Sequence, residues 1–187
     1  MCSAAEFFSG MAARAVIGQR NFTAQQPGAS DVLLGGVSGV AYANGTLIVV
    51  DDNRVSATPS NNRVLIFPDV NSFLPQPTEE IPVSEQRCPI CVGRAAVVLG
   101  QPDFAKSDVG LSERGFNHPT AVATDGRFLA VADTDNNRIL IWRSIPTTNY
   151  APADLVIGQP DFKTNRANEG QQSPTARSLR GPQGVWI

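Results

Sequence analysis

The chain has one histidine, three cysteines, two lysines and only 7% aromatic residues among its 187. Each shortage narrows what the protein can be. A single histidine suggests no Ser-His-Asp set. Two of the cysteines, Cys88 and Cys91, are spaced as half of a zinc ribbon, but the second pair is missing, and only Cys2 and His118 are left as soft ligands. Sparse aromatics, dispersed basic residues, a net charge of −2 and a pI near 5.3 give nucleic-acid binding little support. A local basic face is still open, because 13 of the 15 basic residues are Arg. No apolar run approaches the length needed to span a bilayer, so no membrane insertion is expected. The first 18 residues lack the charged start and continuous apolar segment of a signal peptide. No Gly-rich phosphate cradle leads from a strand into a helix, and no convincing amphipathic helix is present.

What is present repeats. VADTDNNRILIW (131–142) is an apolar run ending in Asp133, a polar turn on Asn136 and Asn137, and a second apolar run, which predicts two strands joined by a tight turn. LIVVDD (47–52) and NNRVLIF (61–67) form an earlier copy. Three further runs, AVIGQRNF (15–22), VVLGQPDF (97–104) and LVIGQPDF (155–162), each place a short apolar strand before a Gly-Gln turn. Downstream lie GVSGVAY (36–42), HPTAVAT (118–124) and GPQGVWI (181–187). Gln19 to Val40 and Gln101 to Val122 both span 21 residues, and Val40 to Asp51 and Val122 to Asp133 both span 11. The first copy is longer by two insertions, seven residues between Asp51 and Asn61 and 17 between Phe67 and Gly100. Both fall between predicted strands, where extra length is tolerated.

Each unit therefore reads as four antiparallel strands. They are expected near 38–42 or 120–124, 47–51 or 128–133, 63–67 or 138–142, and 95–99 or 153–157. The third strands, RVLIF and RILIW, are apolar at successive positions, which suits a sheet buried on both faces. Small four-stranded sheets that must cover both faces can do so by radial stacking.

Taken together, P-x-x-V-A, L-x-V-A-D-T-x-x-N-R-I-L-I-W and the G-Q-P-D-F turn resemble NHL repeats, in the bacterial subset whose Gly-Gln-Pro-Asp-Phe recurs between blades. The resemblance covers Ala15 to Ile187, with Arg20-Asn21 of the first unit departing from Pro-Asp. It implies an all-β fold of β-propeller blades, commonly six, with the first strand of each blade lining a central channel. Residues 1–14 form an extension or fragment edge. Blade one covers about 36–100 with its insertion at 68–94, blade two about 117–158, and a further blade starts at 182–187. Ala15 to Ile17 matches a stray outer strand and Gly184 to Ile187 a stray inner one. The chain therefore reads as a propeller segment whose blades are completed by the rest of the propeller or by another copy.

Candidate site residues are few. Asn117 and His118 stand just before an inner strand, near one mouth of the implied channel, with Val37 in the equivalent place of unit one. Asp125 is the main acidic candidate near the inner strands. Asp51, Asn62, Arg63, Asp133, Asn137 and Arg138 occur in both units and are expected to build the turn, with each Arg free to pair with a carboxylate on a neighbouring blade. Asp103 and Asp161 are expected to cap the inter-blade turn. Cys88 and Cys91 form a disulfide, a thiol pair or half a metal site; a disulfide would imply an extracytoplasmic compartment. The expected function is a non-enzymatic scaffold whose blade-end loops bind a protein or small molecule, with the insertion carrying Cys88 and Cys91 as the main contact candidate. No cofactor is expected on the segment itself. The rival reading is a fragment of a metal-dependent lyase or hydrolase whose catalytic residues lie mostly in other blades.

Overall fold

A computed structural model describes residues 9–52, 58–75 and 93–187. Cys2, Cys88, Cys91 and most of the 68–94 insertion lie outside the described residues.

The fold is all-β. Strands β1 (Val37–Ala43), β2 (Thr46–Asp51), β3 (Arg63–Phe67) and β4 (Val97–Leu99) form one antiparallel sheet in sequence order. Strands β5 (Pro119–Thr124), β6 (Leu129–Asp133), β7 (Arg138–Trp142) and β8 (Leu155–Ile157) form a second. The register repeats as closely as the sequence does. Val40 faces Val49 and Val122 faces Val131, while Asp51 faces Arg63 and Asp133 faces Arg138. Both inner pairs shift register at the same place, between Val37 and Gly39 and between Pro119 and Ala121.

The outer strands are shorter than expected, because Ala95 and Ala153 turn away from the sheet. Their N–H groups donate to Asp31 and Glu113 carbonyls in the preceding loops, so the ladder to β3 and β7 begins with the Ala96 and Asp154 N–H bonds to Ile66 and Ile141 and its strand pairing covers only the last three residues. Residues 15–17 and 184–187 adopt no strand. Without a hydrogen-bonded neighbour an extended segment has no ladder to join. Their side chains nevertheless pack, Ile17 against the cluster that includes Leu34 and Leu65, and Val185 against the cluster of Ala130, Ala132 and Ile139.

Strand alternation sends neighbouring residues to opposite faces. On sheet one, Ile48, Val50, Val64, Ile66, Val97 and Leu99 share a core with Val122, Leu129, Val131, Leu140 and Trp142 of sheet two. The alternate residues Val49, Leu65, Phe67 and Val98 bury against Leu34 on the other side. By the repeat, sheet two turns towards sheet one the face that sheet one turns away. The stacking is therefore head to tail, not face to like face. Gly39 is needed where the inner strands meet: a Cβ there would lie 3.0 Å from Thr120 O and 3.1 Å from Ala121 Cα.

Candidate functional site

Asp51 and Asp133 end their second strands fully buried, directly opposite Arg63 and Arg138, which are buried as completely. Arg63 Nε donates to Asp51 Oδ2 at 2.8 Å, and Arg138 Nε to Asp133 Oδ2 at 2.7 Å. Each carboxylate oxygen has further donors. Asn61 and Asn136 side chains reach Oδ2, while the backbone N–H of Gly35 or Asn117 reaches Oδ1. The Arg residues thus pair within their own sheet and not, as the sequence left open, with a neighbouring one. The gaps of 12 and five residues from Asp to Arg close to the same cross-strand pair, so the insertion after Asp51 leaves the geometry intact.

The remaining guanidinium hydrogens explain why two separate motifs recur together. Arg63 Nη1 donates to Phe104 O at 2.6 Å and Arg138 Nη1 to Phe162 O at 2.7 Å, the last residue of each Gly-Gln turn motif. In return, Gln101 and Gln159 Nε2 donate to the carbonyls of Asn62 and Asn137, each at 3.0 Å. Asn62 and Asn137 take the left-handed φ of the turn, +47° and +54°. The turn glycines also fit the network. At Gly100, φ +87°, a Cβ would lie 2.2 Å from the Phe116 ring and 2.6 Å from Asn62 O. Leu34 and Leu179 abut Gly18 and Gly158 in the same way. Asp103 and Asp161 accept N–H groups within their turns, as expected.

Burial pushes the Asp133 carboxyl up to about 6, against the opposing pull of Arg138 and of the Asn117 and Asn136 donors. No atom of this buried clip faces outward to meet a ligand.

The two copies part company one residue beyond each Asp. Unit one has Asp52, buried, where unit two has Thr134. His118 aligns with Gly36 and Gly181, since Val37 and Pro119 are the residues paired with Asp51 and Asp133; Val37 is not its counterpart. The backbone N–H of His118 donates to Asn62 Oδ1 at 2.9 Å, as that of Gly181 does to Asn137 Oδ1 at 2.8 Å. The side chain is what this first junction, between units one and two, adds. His118 Nδ1 lies 2.8 Å from Asp52 Oδ2, while Asp52 Oδ1 accepts from Ser60 Oγ at 2.6 Å and Asn62 N at 3.2 Å. A carboxylate only accepts, so Nδ1 carries the hydrogen. Nε2 makes no hydrogen bond among the described residues, and the His118 side chain is 30% exposed. Ser60 Oγ sits 3.2 Å from Nδ1, on the Asp side of the ring, which is the wrong nitrogen for a Ser-His-Asp relay. His118 takes φ +49°, where its counterpart Gly181 has +53°.

Asn117 contributes its backbone to the Asp133 clip, as Gly35 does for Asp51. Asp125 lies at the far end of β5 from His118, about 20 Å away by strand length. Its Oδ1 accepts the N–H groups of Arg127 and Phe128, which hold its carboxyl below the usual range. Asn117 and His118 are thus neighbours, whereas Asp125 belongs to the opposite end. Among the described residues no three His, Cys, Asp or Glu side chains are placed to share a metal ion. Sequence reasoning missed Asp52 and Ser60, though the mismatch of Asp52 with Thr134 marked the position. No protein-family model matches the chain, and neither does any curated protein.

Proposed function

We propose that the chain is a segment of an NHL-type β-propeller and that it acts as a scaffold for ligand- or protein-binding loops at the blade ends. The observation that carries this reading is the division between what repeats and what does not. The core of what the two units share, the Asp-Arg pair of each clip and the Gln of each Gly-Gln turn, is buried and bonded within the chain, apart from the unpartnered oxygens of Asn61 and Gln159; what differs lies at the ends of the sheets. Head-to-tail stacking supports the propeller half of the proposal. Val40 is 62% exposed where its counterpart Val122 is 7%, and Leu155 and Ile157 are 42% and 50% exposed where Val97 and Leu99 are 4% and 0%. Those bare places call for further sheets of the same kind, from the rest of the propeller or from another copy. The 68–94 insertion is the main contact candidate, leaving β3 at the opposite end from the clip. Its described start bonds the β1–β2 turn through Val70 N–H and Gly45 O at 2.8 Å.

The test is a thermal-shift screen of a chemically diverse ligand panel, run on the chain and on a variant whose 68–94 segment is replaced by the short unit-two connection. A ligand that raises the melting temperature of the first and not the second is the expected result. Ligand responses indifferent to the swap would refute the insertion as the contact surface.

The second reading is catalytic, and the Asp52–His118 pair favours it. A buried carboxylate behind Nδ1 leaves Nε2, which makes no hydrogen bond among the described residues, as the nitrogen able to take a proton, on a side chain that is partly exposed. A carboxylate behind an imidazole is also how metal-ligating histidines are supported, but among the described residues no three His, Cys, Asp or Glu side chains gather to share an ion, so this reading routes no step through a metal. Turnover of any substrate that is lost in His118→Gln and kept in the insertion swap would favour this reading over the first.

A further inference from the structure

We propose that the hollow between the β1–β2 turn and the start of the insertion is a saccharide-binding site, built by unit one alone. The proposal deepens the scaffold reading and rests on it for the insertion end being a contact surface.

The hollow has a volume of about 500 Å³ and is lined by Asn44, Gly45, Asp69, Asn71 and Ser72. Two hydrogen bonds shape it. Val70, buried, docks the 3-10 turn Val70–Ser72 against the Asn44-Gly45 turn, and Tyr42 Oη donates to Asn71 Oδ1 at 3.0 Å. The same bonds set what the wall offers. With its oxygen taken by Tyr42, Asn71 is left with its amide hydrogens to donate. Ser72 Oγ gives its hydrogen to Asp69 O at 2.7 Å, leaving its lone pairs to accept. The Asp69 carboxylate has no hydrogen-bond or ion-pair partner among the described residues and accepts only.

Donors and acceptors therefore stand side by side with no cationic side chain in the lining. An anion is poorly served by such a wall, and one carboxylate with a few neutral oxygens falls short of the six to eight oxygen ligands a calcium ion takes. A vicinal diol suits it, because each hydroxyl gives one hydrogen bond and accepts others. Tyr42 supplies the apolar half of the match. Tyr42 is 54% exposed as a residue and its hydroxyl is tied to Asn71 of the lining, so an aromatic side chain stands beside the polar wall, suited to the C–H face of a pyranose. Unit two has Thr124 at the Tyr42 position, and among its described residues no 3-10 turn lies between β7 and β8. The site is thus a local addition and not a requirement of the repeat.

The experiment is an amide chemical-shift titration of the full chain with glucose, galactose, N-acetylglucosamine, maltose and cellobiose, and separately with calcium chloride. At least one sugar is expected to move the amides of Asn44, Gly45 and 69–72 saturably. Tyr42→Ala and Asp69→Asn should each weaken that sugar at least tenfold while amide dispersion elsewhere is unchanged; Asp69 is a surface turn residue, so its variant guards against misfolding of the first. Absence of shifts with every sugar, shifts confined to other regions, or a response to calcium alone overturns the proposal. A different ligand class that moves these same amides would overturn the saccharide assignment while leaving the scaffold reading standing.

Discussion

Arg138→Met tests the clip most directly. Methionine keeps much of the buried stem and removes the charge with all five donors. Four hydrogen bonds go with it: to Asp133 Oδ2, and to the carbonyls of Phe162, Ser112 and Gly115 at 2.7, 2.8 and 3.0 Å. Breaking a buried ion pair from one side costs about 3–5 kcal/mol, because the partner is left charged without compensation. Three orphaned carbonyls would each add about 1 kcal/mol or more if nothing relaxed, but such losses are not additive and water can reach some of them. An expected loss of about 4–5 kcal/mol is therefore a large share of the roughly 5–15 kcal/mol that holds a typical domain together. Urea denaturation at equal m-value reads it as a lower midpoint. The loss should shrink at pH 5 relative to pH 8, since the orphaned carboxyl can then take a proton, and each unit of pKa rise is worth about 1.4 kcal/mol. Adding Asp133→Asn to Arg138→Met should recover part of the loss. Arg138→Lys should fall between, keeping charge without the fork that reaches Phe162 and Gly115. A cost for Arg138→Met below about 1.5 kcal/mol, with no pH dependence, would show that the clip is no stronger than a surface pair and would refute its role as the fold's organiser.

Two further outcomes bear on the same structure. Writing the second junction into the first with the double substitution Asp52→Thr and His118→Gly should leave stability within about 1 kcal/mol of the parent, because glycine relieves the +49° backbone and threonine removes the buried carboxylate; His118→Gly alone should unfold at lower urea than the double variant, and the reverse order would show that Asp52 needs no partner. Carbon-detected titration should place the Asp133 carboxyl near 6 and those of Asp125 and Asp161 below 3.8. With its native value raised, Asp133 holds an extra proton in the folded state between about 4 and 6, so its contribution to stability is complete below 3.8 and is lost as pH rises through 6; a midpoint below 3.8 would mean that Arg138 outweighs burial.

Strand positions were legible because period-two alternation and two aligned copies constrain each other. Both Asp-to-Arg cross-strand pairs follow from that register. What stayed hidden was the partner of each Arg fork, since Phe104 O and Phe162 O are backbone atoms whose positions no side-chain pattern encodes. The outer strands were read two residues too long for a related reason: Ala95 and Ala153 look like strand residues, yet their N–H groups are claimed by loop carbonyls. Asp52 and Ser60 escaped notice because they are separated in sequence from His118 and meet it only when the head of one unit docks on the tail of the last. A polar cluster spanning a junction has no local signature.

The junctions also indicate where such a repeat is free to acquire a role. In unit two, Thr134 Oγ1 bonds Thr120 Oγ1 at 2.6 Å and Pro182 O at 2.7 Å, linking the end of β6 to the start of the next segment. In unit one, Asp52 and His118 span the corresponding gap. One hydroxyl and one glycine are therefore enough to make the connection, so the imidazole is an addition that the fold does not demand. The same holds at the other end, where Tyr42 and the Asp69 turn are added to a hairpin that Thr124 completes without them. Both additions lie outside the clip, which holds the strands in register whatever is attached beyond it. Because the clip closes over either 12 or five residues between Asp and Arg, the repeat tolerates new loops at both ends without loss of register, and those ends are where ligand contacts can be gained one unit at a time.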